Sequence, residues 1–409
     1  MNFFYRNFKK ISFNILFSIF LLFIIYLLFN YGFIKDYLVG GPSDDFFIDL
    51  KYNYIHWLEC HKFQIYHENC ILMDYGKIFY SIPFNEKLKE FYINYIPSIT
   101  IFIFVFAITF LLNPKNKIEY LILTLATLNP TTLVLIERLN FDIYVFLLLI
   151  IVAINRVFIF NWLLIFYCFL VKLYPVVAGS FIFIEDKRRS IKYLTILIII
   201  FTIPVFYFLI IDYFNISKMF VSGGKPGYFH IFGLNTVPKI LKYLGLNYIF
   251  SMIFIYVLFV LLLNKFYNYI STSNLIDEED FFTSKWRLFI IGGNILFFCF
   301  VFYTNYTHRE IFLVLLIPQL LLIFEKNDKL KNILINFLVI RYIFLFFYGV
   351  GNVVEPTYHI DGIRHFSMFF LLTTFGKGLL DFILISFVGA IIIKINFKIL
   401  KKFFLSFKT

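Results

Sequence analysis

Apolar residues along this chain come in long unbroken runs, with no alternating pattern. The first run, 11–33, follows Arg6, Lys9 and Lys10 and is long enough to cross a bilayer. It lacks the small-residue cleavage site of a removable leader and reads as a retained span. Further runs at 93–112, 120–136, 141–154, 193–211, 246–263, 288–303, 311–324, 333–349 and 379–393 are separated by short polar stretches. About ten helical crossings of roughly 20 residues each fill the chain. The fold expected is all-α: one integral-membrane domain over 1–409, with no room for an ordinary water-soluble domain.

Basic residues orient it. Lys115 and Lys117, Arg156, Lys187 to Arg189, Lys329 and Lys331, and Lys398 to Lys402 all flank apolar runs. Lys and Arg concentrate in cytoplasmic loops, so the amino terminus is placed inside. The segment 157–184 then poses a problem. It is apolar, basic at both ends, and interrupted at Lys172-Leu173-Tyr174-Pro175. One crossing would put Lys187 to Arg189 outside, and two full crossings need about 40 residues. A hairpin of two short helices broken near Pro175 satisfies both ends. Its tip needs protein or a wet cavity around it. The loops 34–92, 212–245 and 350–365 fall outside, and 366–377 is either an interfacial helix or an extension of the last span.

Composition agrees with the pattern. Hydrophobic residues make up 61% of the chain and charged ones 15%. The net charge of +12 is explained by cytoplasmic loops and carries no implication of nucleic acid. The abundance of Phe, Ile, Asn and Lys suits an AT-rich, bacterial source. Cys168 and Cys299 lie in apolar runs and read as core residues. Cys60 and Cys70 share the first loop, where pairing depends on the compartment.

Polar outliers gather on the external side. Asp44, Asp45 and Asp49 follow the first span, with a solvated acidic loop as the bland alternative. Arg138, Asp142, Lys172, His308, Arg309 and Glu310 lie at other external edges. Arg341 sits inside an apolar run, where an unpaired Arg costs about 2.5–3.5 kcal/mol on insertion scales, so it must face a partner or water. The Ser222-Gly223-Gly224-Lys225 stretch lacks P-loop spacing. No zinc spacing and no Gly-x-Ser-x-Gly elbow occurs.

Several of these segments, in order, resemble the GT-C superfamily of integral-membrane glycosyltransferases, especially its bacterial, polyprenyl-phosphate-sugar-dependent, mannosyltransferase-like branch. Asp45-Phe46-Phe47-Ile48-Asp49 is similar to the acidic motif of that family's first external loop. The stretch Tyr75 to Phe84 resembles the aromatic end of that loop. Glu137-Arg138-Leu139-Asn140-Phe141-Asp142 is similar to a segment with Gly where Leu139 stands. Lys172-Leu173-Tyr174-Pro175 matches a Lys-x-Tyr-Pro hairpin. Asn305 to Phe312, with Pro318, resembles a further Arg-containing segment, with departures at Asn305 and Thr307-His308.

The resemblance implies a GT-C-like fold, an external catalytic loop at 34–92 with interfacial helices, and the re-entrant hairpin at 157–184. It implies inverting transfer of a sugar from a polyprenyl-phosphate donor to a lipid-linked glycan or other envelope acceptor. The reaction would take place on the external face of a bacterial cytoplasmic membrane. Asp45 is the implied base, with Asp44 next in line and Asp49 positioning. Arg138, Asp142, Lys172, Tyr174, His308, Arg309 and Arg341 are the implied substrate- and phosphate-binding set. No cofactor is required, and a divalent ion (Mg or Mn) between carboxylates is compatible with the motif. A transporter or flippase, or a polymerase of lipid-linked saccharides, is the competing expectation.

Overall fold

A computed structural model describes residues 2–30, 50, 55, 85–172, 174–184, 199, 202–203, 231–273, 275–276, 283–302, 305–325, 327–354, 358–360, 363–365 and 368–406. Among them, six helices are long and apolar enough to cross a membrane. They are Ile11–Phe29, Lys87–Leu112, Tyr248–Thr272, Ser284–Phe302, Asp328–Phe347 and Met368–Lys398. The protein is a polytopic, helical integral-membrane protein. The acidic cluster Asp44, Asp45 and Asp49, the Cys60–Cys70 question, the Tyr75–Phe84 stretch and nearly all of the 193–211 run lie outside the described residues.

The residues form two compact units. One comprises the described parts of Met1–His56, Pro83–Leu147 and Thr307–Asp381; the other those of Trp57–Ile82, Leu148–Tyr306 and Phe382–Thr409.

In the first unit, α1 (Asn2–Asn30) packs on α3 (Ile96–Leu112), which follows the short α2 (Glu86–Asn94). Helix starts seven residues earlier than the apolar run at 93 because Asn85 caps it, its side chain accepting from the Leu88 N–H at 2.9 Å. A polar rivet also ties α1 to the helix that follows α3. Tyr120 donates to Asn14 Oδ1 at 2.7 Å, while Phe13 and Phe17 set their rings edge-on to Tyr120.

The expected span 120–136 is bent. α4 (Lys117–Leu128) and α5 (Pro130–Arg138) meet at 46°. Pro130 cannot continue the α4 hydrogen-bond ladder, and Asn129 repairs the break from both sides. Its Nδ2 donates to the Ala126 carbonyl at 2.8 Å, and its Oδ1 accepts from the Thr132 N–H at 3.0 Å. After α5 comes α6 (Asp142–Ile154), whose 13 residues reach only about 20 Å, short of a bilayer on their own.

The expected crossing 311–324 also departs from a continuous α-helix. A 3-10 segment, Thr307–Leu315, precedes the short α11 (Ile317–Ile323). Pro318 starts the new helix and has no N–H to give to the previous turn. Ile311 to Leu320 are all buried, as tight backbone at membrane depth requires. α12 (Asp328–Val354) packs on α4 and α5. A short antiparallel ladder, β3 (Tyr358–Ile360) with β4 (Ile363–His365), leads to α13 (Met368–Ser406).

α13 runs unbroken for 39 residues, so from Met368 on the 366–377 stretch is an extension of the last span, with no separate helix among the described residues. At Gly376 it meets α12 closely, where an added Cβ would overlap the Phe344 ring.

In the second unit, α7 (Phe158–Val171) ends at Lys172, whose backbone turns extended. The chain resumes at Tyr174 as a 3-10 segment, Tyr174–Ile184. That segment packs on α7 and on α10 (Ser284–Phe302), so the interruption at Lys172-Leu173-Tyr174-Pro175 does break the helix. α8 (Thr236–Tyr243) packs on α9 (Tyr248–Thr272), and β1 (Ile231–Phe232) pairs antiparallel with β2 (Asn305–Tyr306). Cys168 and Cys299 are buried free thiols.

Candidate functional site

The site grows from the end of α5. Arg138 closes its last turn, exposed. Leu139 follows at φ 49°, ψ 48°, in the left-handed region. Its N–H bonds the Ile136 carbonyl at 3.0 Å, and the Asn140 N–H bonds the Leu135 carbonyl at 3.2 Å. Those two bonds make a Schellman termination, which normally favours Gly at this position. Leu139 holds it at a cost of about 1–2 kcal/mol, offset by complete burial of the side chain. The turn that a Gly would provide is therefore kept with a Leu in its place.

Asn140 then starts the next helix, its Oδ1 accepting from the Asp142 N–H at 3.1 Å. Asp142, fully buried in the first turn of α6, sits where a helix N-terminus favours negative charge. Arg309 meets it. The Arg309 Nε donates to Asp142 Oδ2 at 3.0 Å, across 167 residues of sequence. Two of the segments singled out in the sequence are thus joined by one ion pair, and the Arg309 segment packs on α5.

The next residue, Glu310, belongs to a second set of charges. Glu310 Oε2 accepts from Arg341 Nη2 at 2.5 Å. Arg341 also bonds Asp381 Oδ1 at 2.7 Å. Asp381 Oδ2 accepts from Lys377 at 2.9 Å, and Lys377 returns to Glu310 Oε1 at 2.5 Å. The four ions form a closed ring of alternating sign, with side chains 2–3% exposed and formal charges that cancel. Among the described residues the Arg341 Nη1 has no hydrogen-bond partner, and Arg341 lines a narrow cleft with Asn129, Thr131, Thr132, Glu310 and Tyr342.

The predicted site residues therefore divide. Arg138, Asp142 and Arg309 lie on neighbouring elements, with Asp142 and Arg309 in direct contact. Arg341 has the partners that its apolar setting demanded, two carboxylates. Lys172 is half-buried and Tyr174 buried in the second unit. The side chain of His308 lies outside the described residues, as do Asp44, Asp45 and Asp49. Among the described residues no three His, Cys, Asp or Glu side chains gather as a metal ion would need.

Sequence reading missed Glu310, Lys377 and Asp381 as partners of Arg341. One signal was present: Lys377 and Asp381 are spaced i, i+4 in an otherwise apolar stretch, which places them on one helix face. Compared with protein-family models, with curated proteins and with solved structures, the chain shows no match.

Proposed function

We propose that this protein is a GT-C-type membrane glycosyltransferase. It moves a sugar, with inversion, from a polyprenyl-phosphate donor to a lipid-linked glycan or other envelope acceptor. We place the reaction on the external face of a bacterial cytoplasmic membrane. The observation that carries the reading is the Leu139 turn, which delivers Asp142 to Arg309. It joins two segments on which the resemblance rests, and it does so through the backbone shape that the family's Gly implies.

In the proposed reaction an acceptor hydroxyl oxygen attacks the anomeric carbon from the face opposite the phosphate. The bond between that carbon and the phosphate oxygen breaks, and polyprenyl phosphate leaves. Asp45 takes the hydroxyl proton, with Asp44 next to it and Asp49 positioning the motif. General-base help of this kind is worth roughly 10²–10⁴-fold. Arg138, exposed at the end of α5, stabilises negative charge on the leaving phosphate. Arg309 and Asp142 hold the turn on which Arg138 stands.

The test offers purified protein a panel of radiolabelled polyprenyl-phosphate sugars with a lipid-linked glycan acceptor. Turnover is expected with at least one donor, and Asp45→Asn is expected to lower it about 100-fold or more while donor binding survives. Label crossing a vesicle membrane without a new glycosidic bond would instead favour a carrier. Full turnover in both Asp45→Asn and Asp44→Asn would remove the general-base assignment.

A further inference from the structure

We infer that Glu310 is a positioning residue: through it, the ring of Glu310, Arg341, Asp381 and Lys377 sets Arg309 against Asp142. Arg309 and Glu310 are consecutive, opposite in charge, and engaged with different elements. A 3-10 segment turns every three residues, so adjacent side chains leave it about 120° apart. One can face α6 while the next faces α12 and α13. Arg309 reaches Asp142 on α6, and Glu310 reaches Arg341 on α12 and Lys377 on α13.

Closure of the ring is what gives this arrangement its precision. Each ion has two partners of opposite sign, so none can relax toward one neighbour without leaving the other. Sliding Thr307–Leu315 by a single residue would break both Glu310 contacts and the Arg309 contact together. The segment is thereby fixed in register from both sides. Calling this positioning part of a catalytic site rests on the proposed function; the fixing of the register does not.

The ring also predicts an order among double variants. Glu310→Gln with Lys377→Gln removes adjacent members and leaves the Arg341–Asp381 pair intact and the charge balanced. Glu310→Gln with Asp381→Asn removes a diagonal and leaves Arg341 and Lys377 as two buried cations without carboxylates from the ring. Separate charge pairs would not rank the two in this way.

Hydrogen exchange of the full chain in detergent, read by mass spectrometry over Thr307–Leu315, tests the inference. The adjacent double variant is expected to fold, with exchange in that segment about tenfold faster or more and exchange in α3 and α9 unchanged. The diagonal variant is expected to yield little monodisperse protein. Glu310→Asp keeps the charge but shortens the reach, and is expected to show a smaller acceleration confined to the same segment. It also serves as the readout should the adjacent variant fail to fold.

Wild-type exchange over Thr307–Leu315 in whichever of these two variants is read would overturn the inference. So would a diagonal variant as well behaved as the adjacent one. Where sugar transfer is measurable, the adjacent variant should lose kcat and keep its donor KM, and adding Arg309→Gln should cost little more. A wild-type protein that transfers no sugar would sink the proposed function and leave the exchange result standing.

Discussion

Among the described residues, the contacts made by buried cations differ between the two units. In the first, Arg341 and Lys377 sit among carboxylates, in a ring whose members come from three elements. In the second, Arg287 and Lys394 meet backbone carbonyls at helix ends, among other contacts. Arg287 donates from Nη2 to Val152 at 2.9 Å and to Asn155 at 2.6 Å, at the end of α6. Lys394 donates to Ile270 at 2.8 Å, in the last turn of α9. Carbonyls there lack intrahelical partners and carry the negative end of the helix dipole, so a cation meets a need the helix already has. Such a contact is local. The ring is collective, because removing one ion changes the charge balance of the other three.

Three substitutions can break or sharpen that contrast, and thermal unfolding of the detergent-solubilised protein reads all of them. Arg341→Met is expected to be the most damaging, at about 3–5 kcal/mol, since it leaves two buried carboxylates to share one cation of the ring, Lys377. Arg287→Met should cost about 1.5–3 kcal/mol, the scale of charged hydrogen bonds to carbonyls. An Arg287 effect equal to that of Arg341 would erase the distinction between local and collective burial. Tyr120→Phe supplies the baseline. It deletes only the neutral bond to Asn14, and interhelical bonds of that kind average about 0.6 kcal/mol in membranes. A loss above that of Arg287→Met would mean the α1 contact, not charge, governs stability.

How much of this was legible depended on whether a residue's partner was local. The membrane class, the buried Cys168 and Cys299, and the break at Lys172 to Pro175 follow from hydropathy and from proline's missing N–H. The kink at Asn129-Pro130 and the restart at Pro318 carried the same signal, yet the apolar runs through them looked continuous. Leu139 looked like a departure that endangered its turn, but burial of its side chain offsets the left-handed backbone. The partners of Arg341 were harder. Glu310 lies 31 residues upstream and Asp381 40 downstream, and no local rule connects such positions. Lys377 and Asp381 lie at the end of and just past the 366–377 stretch, which the pattern leaves open between an interfacial helix and an extension of the last span. Within the ring they neutralise one another and two further ions, and the helix continues through them.

Gly376 shows what this means for inherited change. It adjoins Lys377 on α13, and Phe344, one helical turn past Arg341 on α12, fills the space that its missing side chain leaves. A methyl group there would force the Phe344 ring to move, beside the residues that form the ion ring. An Ala at 376 conserves charge and favours the helix by about 1 kcal/mol, and would look harmless in a comparison of sequences. Its cost would fall on the packing of the Phe344 ring, one turn away from Arg341, rather than on any charge. Tolerance of variation in this region is thus set by the charged residues and also by a neighbour whose only property is being small.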